Sequence, residues 1–357
     1  MPDDHESIEI TCPTPAPTSK HVLLGHGSGG RLSAELLHGI FLARFSNPVL
    51  QDLEDQATSE ILELAQPGNR LAFTTDSYVV RPIFFPGGDI GHLAVNGTIN
   101  DLAVGGAHPK QLSAGFILEE GLLLEDLCRV VDSMKSACDA AGIALVTGDT
   151  KVVDKGRGDN IFITTAGIGV VPAERKLSIH NAQPGDQILV SGTLGDHGIA
   201  IMSVRAGLDF ETTLESDTAP LNGLTEMILS TCPATRCMRD ITRGGLASVL
   251  HELAAASNVG IEIDELSLPI KPEVSAACEL LGLDVMHVAN EGKLIAVVPQ
   301  EHADDLLVSM RQHPLASNAA IIGRVTQEHP KTVLARTPIG GLRMITMLSG
   351  EQLPRIC

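Results

Sequence analysis

The chain has 357 residues, of which 43% are hydrophobic, and its formal net charge at pH 7 is −19. This length exceeds what one hydrophobic core usually serves, so we expect two domains of ordinary size. The acidic balance disfavours binding to nucleic acids and to anionic membranes, and a nucleotide would need metal ions to offset the repulsion.

The N-terminal sequence and the cysteine pattern indicate the cellular compartment of the protein. The first twenty residues are acidic and rich in proline, with no basic start and no apolar stretch, which is unlike a signal peptide. No apolar run is long enough to suggest a transmembrane helix. Seven cysteines without a Cys-x-x-Cys pair disfavour both a disulfide framework and a zinc site. We therefore expect a cytoplasmic protein.

The first half of the chain alternates predicted helices and strands after a proline-rich leader, residues 1–22. A glycine-rich loop, Gly25–Gly30, precedes a predicted helix at 32–45. Apolar residues at helical spacing from Leu127 to Ala137 predict a helix over 124–141. The other predicted elements of this first domain, residues 23–172, are a helix at 89–104 and strands at 71–76, 112–118, 143–147 and 161–171.

A turn-rich junction at 172–186 separates a second unit. We assign 173–330 to a second domain and 331–357 to closing strands and a mobile tail. Alternating strands and helices in both halves predict an α/β (α+β) fold of two similar domains in tandem. The strands predicted here lie at 187–191, 259–263, 294–298, 320–325, 332–335 and 342–345, and the helices at 198–206, 221–230, 245–256, 273–281 and 301–311.

The last residue, Cys357, is a thiol at the end of a short tail. A thiolate is a strong nucleophile, and a cysteine at the terminus has no core to fill. Prenylation requires a cysteine fourth from the end, where this chain has Pro354. A frayed terminus without function is the alternative, and Cys357 alone does not exclude it.

Four aspartates follow predicted strands or lie in turns among small residues: Asp55, Asp76, Asp101 and Asp149. Carboxylates in such surroundings suit Mg²⁺, which prefers oxygen ligands and needs close access for phosphate. A helix cap or a turn is the alternative for each. The glycine-rich loop matches neither the Walker A spacing nor the dinucleotide fingerprint, although its backbone N–H groups could wrap a phosphate.

Two further charged residues are candidates for chemistry. Lys151 follows Asp149 by two positions, so in an extended segment both side chains point to the same side. Glu291 lies three positions before the predicted strand at 294–298 and would lie at its mouth. A solvated surface charge is the alternative for both residues.

Five segments carry a resemblance to a known family: NGTINDLAVGGAHP, VTGDTKVV, RDITRGGLASVLHELA, VANEGK and the terminal PRIC. They resemble HypE, the family of hydrogenase maturation factors that act as carbamoyl dehydratases in [NiFe]-hydrogenase assembly. That family belongs to the ATP-dependent superfamily of aminoimidazole ribonucleotide (AIR) synthetase, or PurM. The resemblance runs from about residue 23 to the end. It implies an AIRS-like N-terminal domain that forms a homodimer and an AIRS-C-like C-terminal domain.

The resemblance also implies the ligands of the site. ATP would bind in a groove at the dimer interface, with Mg²⁺ on its phosphates. The residues implied to hold the metal are Asp55, Asp76, Asp101 and Asp149. Those implied to contact ATP are Gly27, Ser28, Gly29 and Gly30 of the loop, together with Asn96, Asp76, Asp101 and Asp149.

The reaction implied by the resemblance uses the terminal thiol. A HypF-like carbamoyltransferase loads a carbamoyl group onto Cys357, ATP activates its oxygen, and loss of water gives a thiocyanate. Lys151 and Glu291 are the candidate bases for the nitrogen protons. A HypC–HypD-like complex then accepts the group as the cyanide ligand of iron.

Two rival functions remain at this point. Another enzyme of the superfamily, such as a selenophosphate synthetase or a small-molecule kinase, needs no terminal thiol. A selenophosphate synthetase carries its reactive cysteine or selenocysteine near the N-terminus, where this chain has only Cys12. A non-catalytic carrier would use Cys357 without any dependence on ATP. Arg243 lies in a TRGG segment where thiamine-phosphate kinases carry SDG, and a phosphate clamp and a structural ion pair are equally compatible with it.

Overall fold

The computed structural model describes residues 19–28, 30–53, 56–207, 214–347 and 355–357. Three residues singled out from the sequence, Cys12, Gly29 and Asp55, lie outside this description. No helix within the described ranges is both long and apolar enough to span a membrane.

The first domain is built on one four-stranded, mostly antiparallel sheet. Its strand order is β1-β6-β4-β5, in which only β4 and β5 run parallel. The elements are α1 (Arg31–Leu36), continuing as a π-helical segment (Leu37–Leu42), α2 (Pro48–Gln51), β1 (Arg70–Tyr78), β2 (Phe84–Phe85), β3 (Gly88–Asp89), α3 (Ile90–Val104), β4 (His108–Glu119), α4 (Leu124–Ala141), β5 (Ala144–Val153) and β6 (Ile161–Val171).

Helices α3 and α4 bury one face of this sheet. The predicted apolar stripe of α4 is confirmed, since Leu127, Val130 and Met134 are fully buried. Helix α3 is buried on nearly all sides, because it lies between the sheet and the second domain. The opposite face of the sheet is open at β1, where Leu71 and Phe73 are 58% and 70% exposed.

The second domain contains a sheet of order β13-β12-β9-β11-β7-β10-β8. The closing strands at the end of the chain belong to this sheet, so they are part of the second domain rather than a separate segment. The elements are β7 (Gln187–Val190), α5 (Asp196–Ala206), α6 (Asn222–Thr231), β8 (Cys237–Asp240), α7 (Gly245–Ser257), β9 (Gly260–Asp264), α8 (Pro272–Leu281), β10 (Leu294–Val298), α9 (Gln300–Gln312), β11 (Ala320–Thr326), β12 (Val333–Arg336) and β13 (Leu342–Ile345).

The two tandem α/β domains predicted from the sequence are therefore confirmed. The predicted boundaries of α4, β6, β10 and β13 coincide with those of the structure. Strands β2, β3 and β8 were not predicted, because β2 and β3 have two residues each and pair only with one another, and the four residues of β8 depend on pairing with the distant β10. Of these, β8 matters most, since it carries part of the candidate site.

Candidate active site

The last three residues of the chain are docked between the two domains. The backbone N–H groups of Val79 and Arg81 donate to the carbonyl oxygens of Cys357 (3.1 Å) and Arg355 (3.3 Å). Between them, the Ile356 side chain is 3% exposed and packs in the core of the first domain. Docking in this way leaves Cys357 only partly exposed to solvent.

The Cys357 thiol lies beside the Glu291 carboxyl. Burial raises the pKa of this thiol far above its ordinary value, and the negative charge of Glu291 raises it further. The Arg243 guanidinium opposes this shift in the pKa of the thiol, although it does not overcome it. In the docked position the unmodified thiol is therefore protonated and a poor nucleophile.

Glu291 is held by the loop that precedes β10. The Asn290 side chain fixes this loop, since its Oδ1 accepts from the Gly195 N–H (2.7 Å) and its Nδ2 donates to the Ile241 carbonyl (3.1 Å). The Glu291 N–H donates to Asp217 Oδ1 at 3.0 Å. Because Glu291 is only 4% exposed, the alternative of a solvated surface charge is excluded for it.

The Glu291 carboxyl is poised as a proton acceptor. Burial, followed by the charges of Asp217 and Asp240, raises its pKa well above the ordinary value. Its Oε1 has no hydrogen-bond partner among the described residues. An unpartnered buried carboxyl oxygen with a raised proton affinity is what a general base requires.

Three aspartates converge near this carboxyl. Tyr78 donates to Asp76 Oδ2 (3.2 Å) and Thr74 donates to Asp101 Oδ2 (2.8 Å). Burial and the charge of Asp76 raise the pKa of Asp101, and burial with the charge of Asp101 raises that of Asp240 to about 7. These shifts show that the aspartates repel one another, which a cation would relieve.

A cleft beside these aspartates can admit a ligand. It has a volume of about 460 Å³ and is lined by residues of both domains, among them Thr74, Asp101, Arg239 and Asp240. Within the described ranges, no three His, Cys, Asp or Glu side chains are arranged to hold one metal ion by themselves. Mg²⁺ usually takes one or two carboxylates together with phosphates and water, so the pair Asp101 and Asp240 fits a metal that arrives with a nucleotide.

Asn96 lies at the contact between the domains. Its Nδ2 donates to Thr218 Oγ1 at 3.1 Å, and its Oδ1 has no partner in the part of the chain that is described. One helical turn further along α3, Asn100 donates to the Glu291 carbonyl at 3.2 Å. Helix α3 thus connects the aspartates of the first domain to the Glu291 loop, and nucleotide contact by Asn96 stays a prediction.

Lys151 and Asp149 lie elsewhere, on strand β5. Lys151 Nζ is 2.8 Å from Asp149 Oδ2, which confirms the prediction that both side chains share one side of the strand. The hydrogen bond from Lys151 lowers the pKa of Asp149. Both side chains are well exposed, at 66% and 71%.

The glycine-rich loop lies against the same strand. A Cβ atom on Gly27 would lie 2.7 Å from the backbone nitrogen of Val152, so only glycine fits there. Gly27, Asp149 and Lys151 line a cavity of about 260 Å³ whose inner wall is apolar and includes Phe41 and Phe116. The predicted site residues therefore form two groups, one around Cys357 and one around Lys151.

The two groups are separated within one chain. Strands β1 and β5 are opposite edges of the four-stranded sheet, and the register aligns Asp76 with Gly148, the neighbour of Asp149, across three strand spacings. At roughly 4.8 Å per spacing, the backbones are ~14 Å apart. The structure does not bring Lys151 to Cys357 within a single chain.

Sequence reasoning missed four residues of the site: Tyr78, His197, Asp217 and Asp240. Asp240 was present in the quoted RDITRGG segment, but β8 was not recognised as a strand. His197 is fully buried, and its Nε2 lies 2.8 Å from the Ile356 carbonyl oxygen, 159 residues away along the chain. A contact between residues so far apart in the sequence leaves no local sequence pattern from which it could be predicted.

Comparisons with known proteins cover most of the chain. Two family models match, "AIR synthase related protein, N-terminal domain" at residues 54–171 and "AIR synthase related protein, C-terminal domain" at 183–335. The carbamoyl dehydratase HypE of Azotobacter vinelandii is 53% identical over 332 residues, 93% of this chain and 96% of the relative.

Solved structures agree with this relationship. A structure of the hydrogenase maturation protein HypE in complex with ATP superposes with a TM-score of 0.89 at 46% identity, covering 94% of this chain and 99% of the other. A HypE–HypF complex contains a chain that superposes with a TM-score of 0.76 at 46% identity, covering 89% of this chain and 100% of the other.

Proposed function

Because the chain belongs to the HypE family of carbamoyl dehydratases, which serve hydrogenase maturation, we propose that it dehydrates a carbamoyl group carried on its own Cys357. The single observation that carries this proposal is the docking of Cys357 against the buried carboxyl of Glu291, whose Oε1 has no hydrogen-bond partner among the described residues. A terminus without function has no reason to place its thiol beside a general base.

The chemistry begins with a thiocarbamate, Cys357 S–C(=O)–NH₂. Its carbonyl oxygen is a poor leaving group until it attacks the γ-phosphorus of ATP and releases ADP. Loss of one proton from nitrogen gives a phosphorylated imidate, and loss of the second proton with departure of phosphate gives S–C≡N. The net change is one ATP and one thiocarbamate converted to ADP, phosphate, a proton and a thiocyanate.

Glu291 is the proposed acceptor of a nitrogen proton. Its carboxyl faces the sulfur of the docked tail, and its raised pKa makes it a stronger base than an exposed glutamate once it is ionised. Arg243 has an exposed side chain with no ion pair among the described residues, and its charge acts on Glu291 and Cys357. This favours the phosphate clamp over the structural ion pair for Arg243.

The nucleotide is proposed to bind in the cleft between the domains. A relative binds ATP, and Asp101 and Asp240 here line a space large enough for a phosphate chain, with the charge of Asp76 acting on both. Mg²⁺ held by these aspartates would neutralise the phosphate charge on transfer. Asp240 thus joins the proposed metal ligands, and the metal roles of Asp55, Asp76, Asp101 and Asp149 all stay predictions.

A homodimer would complete the site. The open face of the first sheet exposes Leu71 and Phe73, and burying apolar residues of this kind is typical of subunit interfaces. A second copy joined over this face could bring its own Lys151, Asp149 and glycine-rich loop to the cleft, which one chain alone does not do. Lys151 is then the proposed second base, acting across the interface.

The reaction requires one partner that donates the carbamoyl group and another that accepts the cyano group. A relative is known in a HypE–HypF complex, and a HypF-like carbamoyltransferase is the proposed donor for Cys357. A HypC–HypD-like iron complex in the cytoplasm is the proposed acceptor. Both exchanges require the tail to leave its docked position, because the docked thiol is only partly exposed and is protonated.

The identity of the carrier residue is tested by loading. Incubation with a HypF-like donor, ATP and labelled carbamoyl phosphate should place label on the wild-type chain and none on Cys357→Ala, while nucleotide binding is unchanged. Cys128→Ala, which alters another partly buried cysteine, is the matched control. Label retained by Cys357→Ala would refute the proposal.

A further inference from the structure

The docked tail alternates the direction of its carbonyl groups. Those of Arg355 and Cys357 accept from the segment around Val79 and Arg81, whereas the carbonyl of Ile356 points to the opposite side. There it meets His197 Nε2 at 2.8 Å. His197 therefore contacts the peptide group that directly precedes the reactive cysteine.

The imidazole of His197 is held rigidly. It is fully buried near the start of α5, and the Phe85 ring meets it edge to face, with centroids 5.6 Å apart and an interplanar angle of 85°. Its Nδ1 lies 2.8 Å from Ser216 Oγ. A ring fixed at three points has little freedom to follow a moving tail.

The surrounding hydrogen bonds define which nitrogen carries the proton. Ser216 Oγ accepts from the Thr218 N–H at 3.2 Å, so its own hydroxyl proton is available to His197 Nδ1. Nε2 then carries the imidazole proton and donates it to the Ile356 carbonyl. Burial lowers the pKa of His197, which favours this neutral form.

The start of the tail, at the end of β13, is held by two other histidines. His251 Nε2 lies 2.7 Å from the Ile345 carbonyl oxygen, and His287 Nε2 lies 2.9 Å from that of Thr346. Both contacts are in the second domain, at the end of β13. These two contacts attach the start of the tail to the second domain independently of the contacts at its tip.

We propose that His197 is a positioning residue that latches the tip of the tail through the Ile356 carbonyl and so holds the modified sulfur of Cys357 against Glu291 during dehydration. This role rests on the proposed function, since the latch serves a reaction on Cys357. The latch itself, however, is a property of the docked tail and can be measured without ATP or a carbamoyl group.

The first test measures how fast Cys357 reacts with iodoacetamide in the absence of nucleotide. Cleavage after Glu351 releases a C-terminal fragment whose mass reports on Cys357 alone. His197→Asn cannot reach the Ile356 carbonyl and should label about tenfold faster than wild type, the effect of losing one buried hydrogen bond. His197→Gln places an amide N–H near the position of Nε2 and should label close to the wild-type rate.

Two further variants complete this design. Ser216→Ala removes the group that sets the His197 tautomer and should label at an intermediate rate. His180→Asn is the matched control, since His180 Nδ1 also contacts a backbone carbonyl (Ala256, 3.0 Å) but lies far from the tail, and it should label as wild type does.

The second test is single-turnover dehydration of the chain already carbamoylated on Cys357. His197→Asn should slow it about tenfold, with rescue by His197→Gln, while the KM for ATP does not rise and the rate of loading does not fall. A structural defect would raise this KM and slow loading as well. If wild-type protein fails to dehydrate, the proposed function fails while the labelling experiment still decides the latch.

Wild-type labelling rates in both His197→Asn and Ser216→Ala would overturn the latch. If circular dichroism shows that His197→Asn does not fold, Ser216→Ala alone decides: faster labelling supports the latch, and the wild-type rate contradicts it.

Discussion

At the scale of single residues, the Glu291 carboxyl is buried beside other carboxyl groups, and both effects raise its pKa. Replacing it by Gln keeps the shape and removes the proton acceptor. We expect Glu291→Gln to accept a carbamoyl group normally but to dehydrate it about a hundredfold or more slowly, the usual contribution of a general base. Single-turnover mass analysis of Cys357 measures this loss.

The control for this prediction is Glu279→Gln, which alters an exposed carboxyl on α8 and should dehydrate at the wild-type rate. Because the ionised form of Glu291 is the base and its pKa is raised, the wild-type rate should also rise with pH, over a higher pH range than an exposed glutamate would give. Normal dehydration by Glu291→Gln would assign the base to another residue.

Asp240 makes stability depend on pH. Its pKa rises from an ordinary 3.8 to about 7 on folding, so the folded state binds a proton more tightly than the unfolded chain. Stability from this group is fully present below pH 3.8 and is lost as the pH rises toward 7, at about 1.4 kcal/mol per pH unit. The ionised carboxyl is therefore a cost to the folded protein at pH 8.

We accordingly expect Asp240→Asn, measured without nucleotide, to raise the melting temperature at pH 8 and to change it little at pH 4. Thermal unfolding at the two values measures this difference. An equal shift at both pH values would mean that the charge of Asp240 is not what destabilises the cleft.

At the scale of secondary-structure elements, helix α3 connects the aspartates of the first domain to the Glu291 loop, and it packs closely against Tyr78. A Cβ atom on Gly97 would lie 2.2 Å from the Tyr78 hydroxyl, which itself donates to Asp76. We expect Gly97→Ala to lower the free energy of unfolding by about 1–3 kcal/mol, as overpacking of a core usually does. Denaturant unfolding measures it.

Gly105→Ala, at the residue directly after α3, is the control, because the nearest contacts of its Cβ would lie at 3.4 Å and its φ of −72° suits alanine. Its effect should stay within about 0.5 kcal/mol. Equal losses in both variants would show that the approach of Tyr78 to α3 is not the cause.

The elements also show how far sequence reasoning reached. The stripe from Leu127 to Ala137 predicted α4, because helical spacing is a local property. The spacing of Asp149 and Lys151 likewise predicted that both side chains lie on one side of β5. The burial of Glu291 and the role of β8 were not predictable in the same way, since both depend on packing between segments far apart in the sequence. The terminal thiol was found from the sequence, but its partner His197 was not.

At the scale of the whole molecule, the separation of Lys151 from Cys357 predicts complementation between subunits. Lys151→Ala and Cys357→Ala should each be inactive alone. After dissociation and random reassembly, half of the dimers combine one chain of each kind, and each of these has one complete site. About a quarter of the wild-type activity should then return, as expected for a twofold dimer.

Wild-type protein mixed with Cys357→Ala controls for losses during reassembly. Failure of the two inactive variants to complement, with that control intact, would place Lys151 and Cys357 in the same subunit or remove Lys151 from the reaction. A monomer at micromolar concentration in sedimentation would contradict the shared site directly.

The central claim is that Cys357 carries the group through dehydration, and the mass of the C-terminal fragment tests it most directly. The chain is first carbamoylated by the donor enzyme, freed of nucleotide and then given ATP and Mg²⁺. We predict that the fragment containing Cys357 loses the mass of one water molecule only when ATP is added. A carbamoylated fragment that keeps its mass in the presence of ATP, or a modification found on Cys12 or Cys237 instead, would contradict the claim.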